Sequence, residues 1–257
     1  MLTPTTFTPD ENRVDSIEIY CKNTEQTVRV PVGATLEAIY EAAGRPLRYP
    51  PLGARVNKRV EGLTYRCWNP KDVEFVDYTH PSGYRIYLRS LCFILVKAVY
   101  DLYPSRPFSL EHPVSKGLYC AFEHREPMTE DDVRRIKQRM QEIIGEDRPF
   151  VRYVVRTEDA LATFRERGMN DRALLIETAG MAYTTYYGLN GYIDYFYGCL
   201  TPSSGRIPLF DLIPYADGVL LQLPQREDPT RLYPLVPQQK MFNAYKQHLQ
   251  LQRTVGV

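Results

Sequence analysis

Residues 16–44 read SIEIYCKNTEQTVRVPVGATLEAIYEAAG, and the spacing of the apolar residues changes partway along. In SIEIYCK, Ile17, Ile19 and Cys21 alternate with other residues; in QTVRVPV, Val28, Val30 and Val32 do the same. Alternation with period two turns one side of each run toward a core. Two such runs around a short polar turn predict a β-hairpin. Pro31 falls on the opposite side and, lacking an N–H, predicts an edge or a strand end. From Ala34 the period becomes helical. Leu36, Ile39, Tyr40 and Ala43 form one stripe, Thr35 is placed to cap the first turn, and Gly44 to close the last.

Working outward, GARVNKRV (53–60) and DVEFVDY (72–78) predict later strands, with Pro46, Pro50 and Pro51 in loops. Hairpin, helix and short strands within residues 15–79 follow the element order of a β-grasp module. Tyr84 to Tyr103 then carries Leu88, Leu91, Cys92, Leu95, Val99 and Leu102 at helical steps, with Pro104 as the stop. FSLEHPVSKGLYCAFE (108–123) predicts two strands around a turn. Thr129 with Asp132 makes a capping-box pair ahead of Val133, Ile136, Met140 and Ile143. VRYVVR (151–156) predicts a strand, Thr157 to Arg167 a helix closed by Gly168, and Asn190-Gly191 the turn of a second hairpin. LFDLIPYADGVLLQLP (209–224) adds two strands. QQKMFNAYKQHLQLQ (238–252) is amphipathic through Met241, Phe242, Tyr245 and Leu249. The fold class is α+β.

The composition excludes several function classes. Lys and Arg number 32 against 31 Asp and Glu, so no global field steers the chain toward nucleic acid or a membrane; only a local patch can. The five cysteines are odd in number and widely spaced, which predicts free thiols and a reducing, cytoplasmic setting. No apolar run is long enough to span a bilayer, so no membrane partner is expected. Residues 1–14 carry no signal-peptide pattern and read as a flexible tail.

Chemistry-bearing motifs are scarce. There is no phosphate loop, no G-x-G-x-x-G, no G-x-S-x-G and no H-E-x-x-H. His112, Cys120 and His124 are weak metal candidates; no fourth ligand is evident, and Cys120 shares a strand face with Leu118 and Phe122, as a core thiol would. Ten basic residues lie in 134–172: Arg134, Arg135, Lys137, Arg139, Arg148, Arg152, Arg156, Arg165, Arg167 and Arg172. They either track phosphates or pair with the acids beside them. The tyrosine-rich hairpin (Tyr183, Tyr186, Tyr187, Tyr192, Tyr195, Phe196, Tyr197) either stacks a base or packs as strands do.

Several phrases resemble known families. TVRVPVGATLEAIYEAAG, ARVNKRVEGL and DVEFVD are similar to a TGS domain. YLRSLCFILVKAVYDLYP, SKGLYCAFE, MTEDDVRRIKQRMQEII and GYIDYFYG resemble the second additional domain, the editing domain, of threonyl-tRNA synthetase. This resemblance implies a TGS-like domain at 15–79 and an editing-like domain at 80–224. The family's editing site uses H-x-x-x-H on the long helix and C-x-x-x-H after the last hairpin strand. On this chain those four positions carry Arg89, Phe93, Phe196 and Leu200, so the site is degenerate and no catalytic or metal-binding residue is assigned. A ligand cleft, if retained, is expected between Arg89 and the group Tyr192, Asp194, Tyr195 and Phe196, although Arg89 also fits a helix-surface residue paired to a carboxylate.

LYCAFE, FRERGMNDRALLIET, YIDYFYGCLTPSSG, LFDLIPYADGVLLQLP and QQKMFNAYK are also similar to the front region of bacterial uridine-kinase-type nucleoside kinases. That resemblance implies a noncatalytic regulatory or ligand-binding region. Residues 225–257 would be a linker and helix leading to a P-loop kinase domain. ATP and Mg²⁺ belong to that domain; no cofactor is expected in this chain. The alternative is a freestanding module that binds RNA, tRNA included; a small-molecule ligand is a further candidate partner.

Overall fold

The computed structural model describes residues 15–122 and 127–236, which divide after Asp77 into two units. In the first, β1 (Ser16–Cys21) and β2 (Gln26–Pro31) form the expected antiparallel hairpin, Ile17 opposite Val30 and Ile19 opposite Val28. β3 (Ala34–Thr35) leads into α1 (Leu36–Ala42). The Thr35 side chain accepts the Ala38 N–H at 3.2 Å, and Gly44, at φ +78°, follows the last turn. GARVNKRV is not one strand. β4 (Gly53–Val56) and β5 (Arg59–Glu61) form a tight hairpin around Asn57 and Lys58, both at positive φ as a type I′ turn requires. β6 (Arg66–Cys67) pairs with β3, and β7 (Lys71–Val76) completes the main sheet.

That sheet has the order β2-β1-β7-β4-β5. β1 and β7 run parallel; every other pair is antiparallel. Pro31 lies on edge strand β2, where a missing N–H costs no ladder bond. The alternating set from β1 (Ile17, Ile19, Cys21) packs with Val30, Leu36, Ile39, Tyr40, Val73 and Phe75 into one core.

The second unit is built around α2 (Pro81–Leu102). The helix starts three residues earlier than its apolar stripe suggested. His80 accepts the Ser82 N–H on its ring nitrogen at 3.0 Å, and Pro81 takes the first position, where no N–H is needed. Residues 90–99 are buried on every side, which makes α2 the central element rather than a surface helix. Its one buried lysine, Lys97, is neutralised by Asp101, both oxygens at 3.0 Å. Beside α2 stand α3 (Glu130–Gly145) and a four-stranded antiparallel sheet, β13-β14-β9-β8, formed from β8 (Phe108–Val114), β9 (Gly117–Phe122), β13 (Asp211–Tyr215) and β14 (Gly218–Gln222). The Thr129–Asp132 capping box is present in both directions.

A second sheet, β10-β11-β12, holds β10 (Val151–Arg156), β11 (Tyr183–Leu189) and β12 (Tyr192–Asp194), with Asn190-Gly191 as the tight turn. One face is covered by α4 (Thr157–Glu166) and α5 (Asn170–Thr178), through Ala160, Phe164, Ala173, Ile176, Tyr186 and Ile193. The sequence reading placed no helix at α5. Residues 225–236 fold back onto this unit: Tyr233 N–H reaches Leu223 O at 3.1 Å, and Val236 N–H reaches Ser115 Oγ at 2.6 Å. The amphipathic 238–252 segment and the 1–14 tail lie outside the described residues.

Candidate functional site

The segment after β12 is pinned along α2 by one serine. Ser90 Oγ donates to Ile86 O at 2.9 Å and accepts the Thr201 N–H at 2.8 Å. This brings 196–201 beside the face that carries Arg89 and Phe93, which are one helical turn apart. The rings of Phe93 and Phe196 lie 5.4 Å apart. The Arg89 guanidinium rests on Gly198, where a Cβ would come within 2.9 Å of Arg89 Cζ. Leu200 is buried. The four positions that the resemblance assigned to an editing site, Arg89, Phe93, Phe196 and Leu200, thus converge on one place.

That place is filled. Phe93 is fully buried, with edge contacts to Phe150 at 5.4 Å and Tyr192 at 5.6 Å. Tyr100 packs on Tyr192 at 5.0 Å. Neither phenylalanine nor leucine can ligate a metal or move a proton. Arg89 is half-buried, and among the described residues no carboxylate lies within ion-pair distance of it, so the expected carboxylate partner is not there.

The rest of the expected cleft divides. Asp194 is 1% exposed, and its oxygens are occupied from within: Oδ1 accepts Arg172 Nε at 3.1 Å and the Tyr195 N–H at 2.7 Å, and Oδ2 accepts the Tyr192 hydroxyl at 2.8 Å. Burial, then Asp194, pushes the Tyr192 hydroxyl far above its ordinary range. Burial works against charge on Arg172, but Asp194 outweighs it and holds the guanidinium protonated. Tyr195 packs instead against the α4–α5 cluster. Arg172 is the residue that sequence reasoning left out of this group. It sits on the unexpected α5, so nothing local pointed to a partner 22 positions away.

The weak metal candidates stand elsewhere. Cys120 is fully buried in β9, with its thiol 3.6 Å from Leu118 O, and burial, with Cys92 nearby, pushes that thiol well up. A thiol so held is a poor thiolate ligand. His112, on β8, lies 5.5 Å from the Tyr119 ring. His124 falls outside the described residues, and among those described no group of three His, Cys, Asp or Glu side chains is placed to hold a metal ion.

Five of the ten basic residues at 134–172 are spent on ion pairs with carboxylates. Arg134 meets Asp131; Lys137 meets Asp211 at 2.6 Å; Arg139 meets Asp101 at 2.9 Å and Glu142 at 3.1 Å; Arg165 meets Glu177 at 3.0 Å. Arg172 meets Asp171 and Asp194. Arg152 and Arg156 differ. Both are exposed on β10, and neither has an ion pair with a carboxylate among the described residues. The tyrosines of the hairpin separate in the same way: Tyr186, Tyr187 and Tyr192 are buried, whereas Tyr183 is 57% and Tyr197 82% exposed.

Among the described residues no helix is long and apolar enough to cross a membrane. No protein-family model matches the chain. Curated relatives do. It is 26% identical over 217 residues to a threonine–tRNA ligase of Alkalilimnicola ehrlichii, covering 84% of this chain and 34% of that protein. It is 28% identical over 178 residues to the Hyphomonas neptunium ligase (68% and 27%) and 34% identical over 149 residues to the Thermobifida fusca ligase (58% and 22%). The chain spans about a third or less of the length of these relatives. Taken with the α+β architecture, these likenesses support a threonyl-tRNA synthetase editing-like region within the chain.

Proposed function

We propose that this chain is a noncatalytic RNA-binding module of the TGS and editing-domain type, with the acceptor end of a tRNA as its target. The observation that carries the reading is the convergence of Arg89, Phe93, Phe196 and Leu200 on one aromatic-filled spot. Arg89, Phe93, Phe196 and Leu200 supply no group that activates water, which supports a noncatalytic reading. The relatives named above act on tRNA by their names, which supports tRNA as the RNA. For the first unit, the order β2-β1-β7-β4-β5 with a parallel β1–β7 pair supports a β-grasp of the TGS kind. The test is twofold. The purified chain releases no amino acid from mischarged tRNA, and it retards a tRNA acceptor stem in a mobility shift that weakens with salt. Turnover in the first assay, or unchanged mobility at low salt in the second, overturns the reading.

The regulatory region of a nucleoside kinase is the second reading. It rests on the phrases FRERGMNDRALLIET and LFDLIPYADGVLLQLP, and the ligases named above lend it no support. Reading the source gene beyond Val257 tests it: a nearby frame encoding a phosphate loop restores it to first place.

A further inference from the structure

The β10–β11 ladder sorts its side chains into two faces. Val151, Tyr153 and Val155 lie opposite Gly188, Tyr186 and Thr184 on the face packed by α4 and α5. Arg152, Val154 and Arg156 lie opposite Tyr187, Thr185 and Tyr183 on the other. Among the described residues, this second face is covered only at one end. Tyr187, Tyr192 and Asp194 are buried, while Arg152, Val154, Arg156 and Tyr183 are exposed and Thr185 is half-buried. Its open end therefore shows an arginine, an aliphatic, a second arginine and a tyrosine directly across from that arginine. The two arginines sit four residues apart, roughly 14 Å along the strand. Arg152 stands directly across the ladder from Tyr187.

We propose that this face binds single-stranded RNA, with an unpaired base stacked on Tyr183 and flanking phosphates held by Arg152 and Arg156. The inference deepens the RNA-binding reading above and depends on it. Charge complementarity selects the occupant: Arg165 and Arg172 are taken up by carboxylates and Arg167 by a backbone carbonyl, whereas Arg152 and Arg156 have no carboxylate partner among the described residues. An exposed tyrosine next to unpaired arginines on an open sheet is the combination that stacking and backbone tracking need together. A purely apolar partner would leave two guanidinium groups facing it without counter-charge.

The test is fluorescence anisotropy with a labelled 12-nucleotide single strand and a blunt RNA duplex of equal length, using the full chain. Tyr183→Ala weakens single-strand binding roughly 5- to 150-fold, the equivalent of about 1–3 kcal/mol for one stacked base, and leaves the duplex nearly unchanged. Tyr183→Phe keeps the affinity. The double variant Arg152→Glu, Arg156→Glu lowers the salt slope by about 1.4, as two lost phosphate contacts require. Arg156→Glu alone lowers the slope by about 0.7. Wild-type binding to RNA that none of these variants alters overturns the proposal but spares the RNA-binding reading; no binding of any RNA at low salt overturns both. Displacement by poly-L-glutamate as effective as by RNA of matched charge assigns the face to acidic peptide and overturns it too.

Discussion

Replacing Phe93 by alanine tests whether the editing-like spot is a packed core or an open pocket. The ring is 0% exposed and touches three others, Phe150, Tyr192 and Phe196, at centroid separations of 5.4–5.6 Å. Truncating a buried phenylalanine costs about 3–5 kcal/mol, part transfer and part residual cavity. The upper half applies if the partners cannot close in. Here two are tied down: Tyr192 bonds Asp194, and Phe150 N–H bonds Pro202 O at 3.1 Å. For a unit of this size the loss corresponds to a drop of roughly 6–20 °C in Tm. Urea unfolding followed by far-UV circular dichroism reads the change as a lower midpoint at unchanged slope. Arg89→Ala is the control: its half-buried side chain rests on Gly198 without an ion pair, and the expected loss is below about 1 kcal/mol. A Phe93→Ala loss below about 1 kcal/mol would refute the reasoning, because the ring would then border an open cavity with room for a ligand.

Other outcomes follow from single features. Gly198, at φ +94°, should lose about 1–2 kcal/mol on change to alanine, seen as a lower Tm; since Arg89 is a flexible neighbour, adding Arg89→Ala should recover only a few tenths. Burial, with Cys199 adding to it, pushes the Tyr187 hydroxyl up to about 12. The unfolded chain ionises near 10, so this stability is fully present below pH 10 and is lost as pH rises toward 12. The loss is about 3 kcal/mol, and Tyr187→Phe should remove it in alkaline melts. Cys199 is only half-buried, whereas Cys21, Cys67, Cys92 and Cys120 are buried and Cys92 is pushed up to about 12 by burial. An aromatic disulfide reagent should therefore label one thiol of the native chain quickly; rapid labelling of two or more would contradict the fold. Thr129→Ala should cost about 1 kcal/mol by breaking the capping box.

Local chemistry was legible in the sequence and long-range partnership was not. Ile17, Ile19 and Cys21 announced their buried face, Asn190-Gly191 its turn, and Thr129 with Asp132 its cap, because each signal lies within a few residues. α5 escaped because NDRALLIET carries no clean stripe. Only Ala173 and Ile176 are well buried, and the exposed Leu174 and Leu175 blur the period. The early start of α2 was hidden because its cap is a histidine rather than a serine or aspartate. The 134–172 run could not be resolved into spent and unspent charge, since the acid facing Lys137 is Asp211. The convergence of 89–93 with 196–200 depends on a hydrogen bond between Ser90 and Thr201, 111 positions apart.

Among the described residues, strand β10 has a neighbour on one side only. Its other side is an edge of N–H and C=O groups with no strand partner among the described residues, bordered by the exposed Val151, Tyr153 and Val154. Such a strip is a template on which a second copy can zip up and start an aggregate. Arg152, set among those residues, and Arg156, at the end of the strand, place like charge against like when two copies approach edge to edge. The same two guanidinium groups are thus gatekeepers of solubility. Neutral substitutions there should raise light scattering on concentration, whereas a reversal to glutamate keeps the mutual repulsion and leaves the chain dispersed.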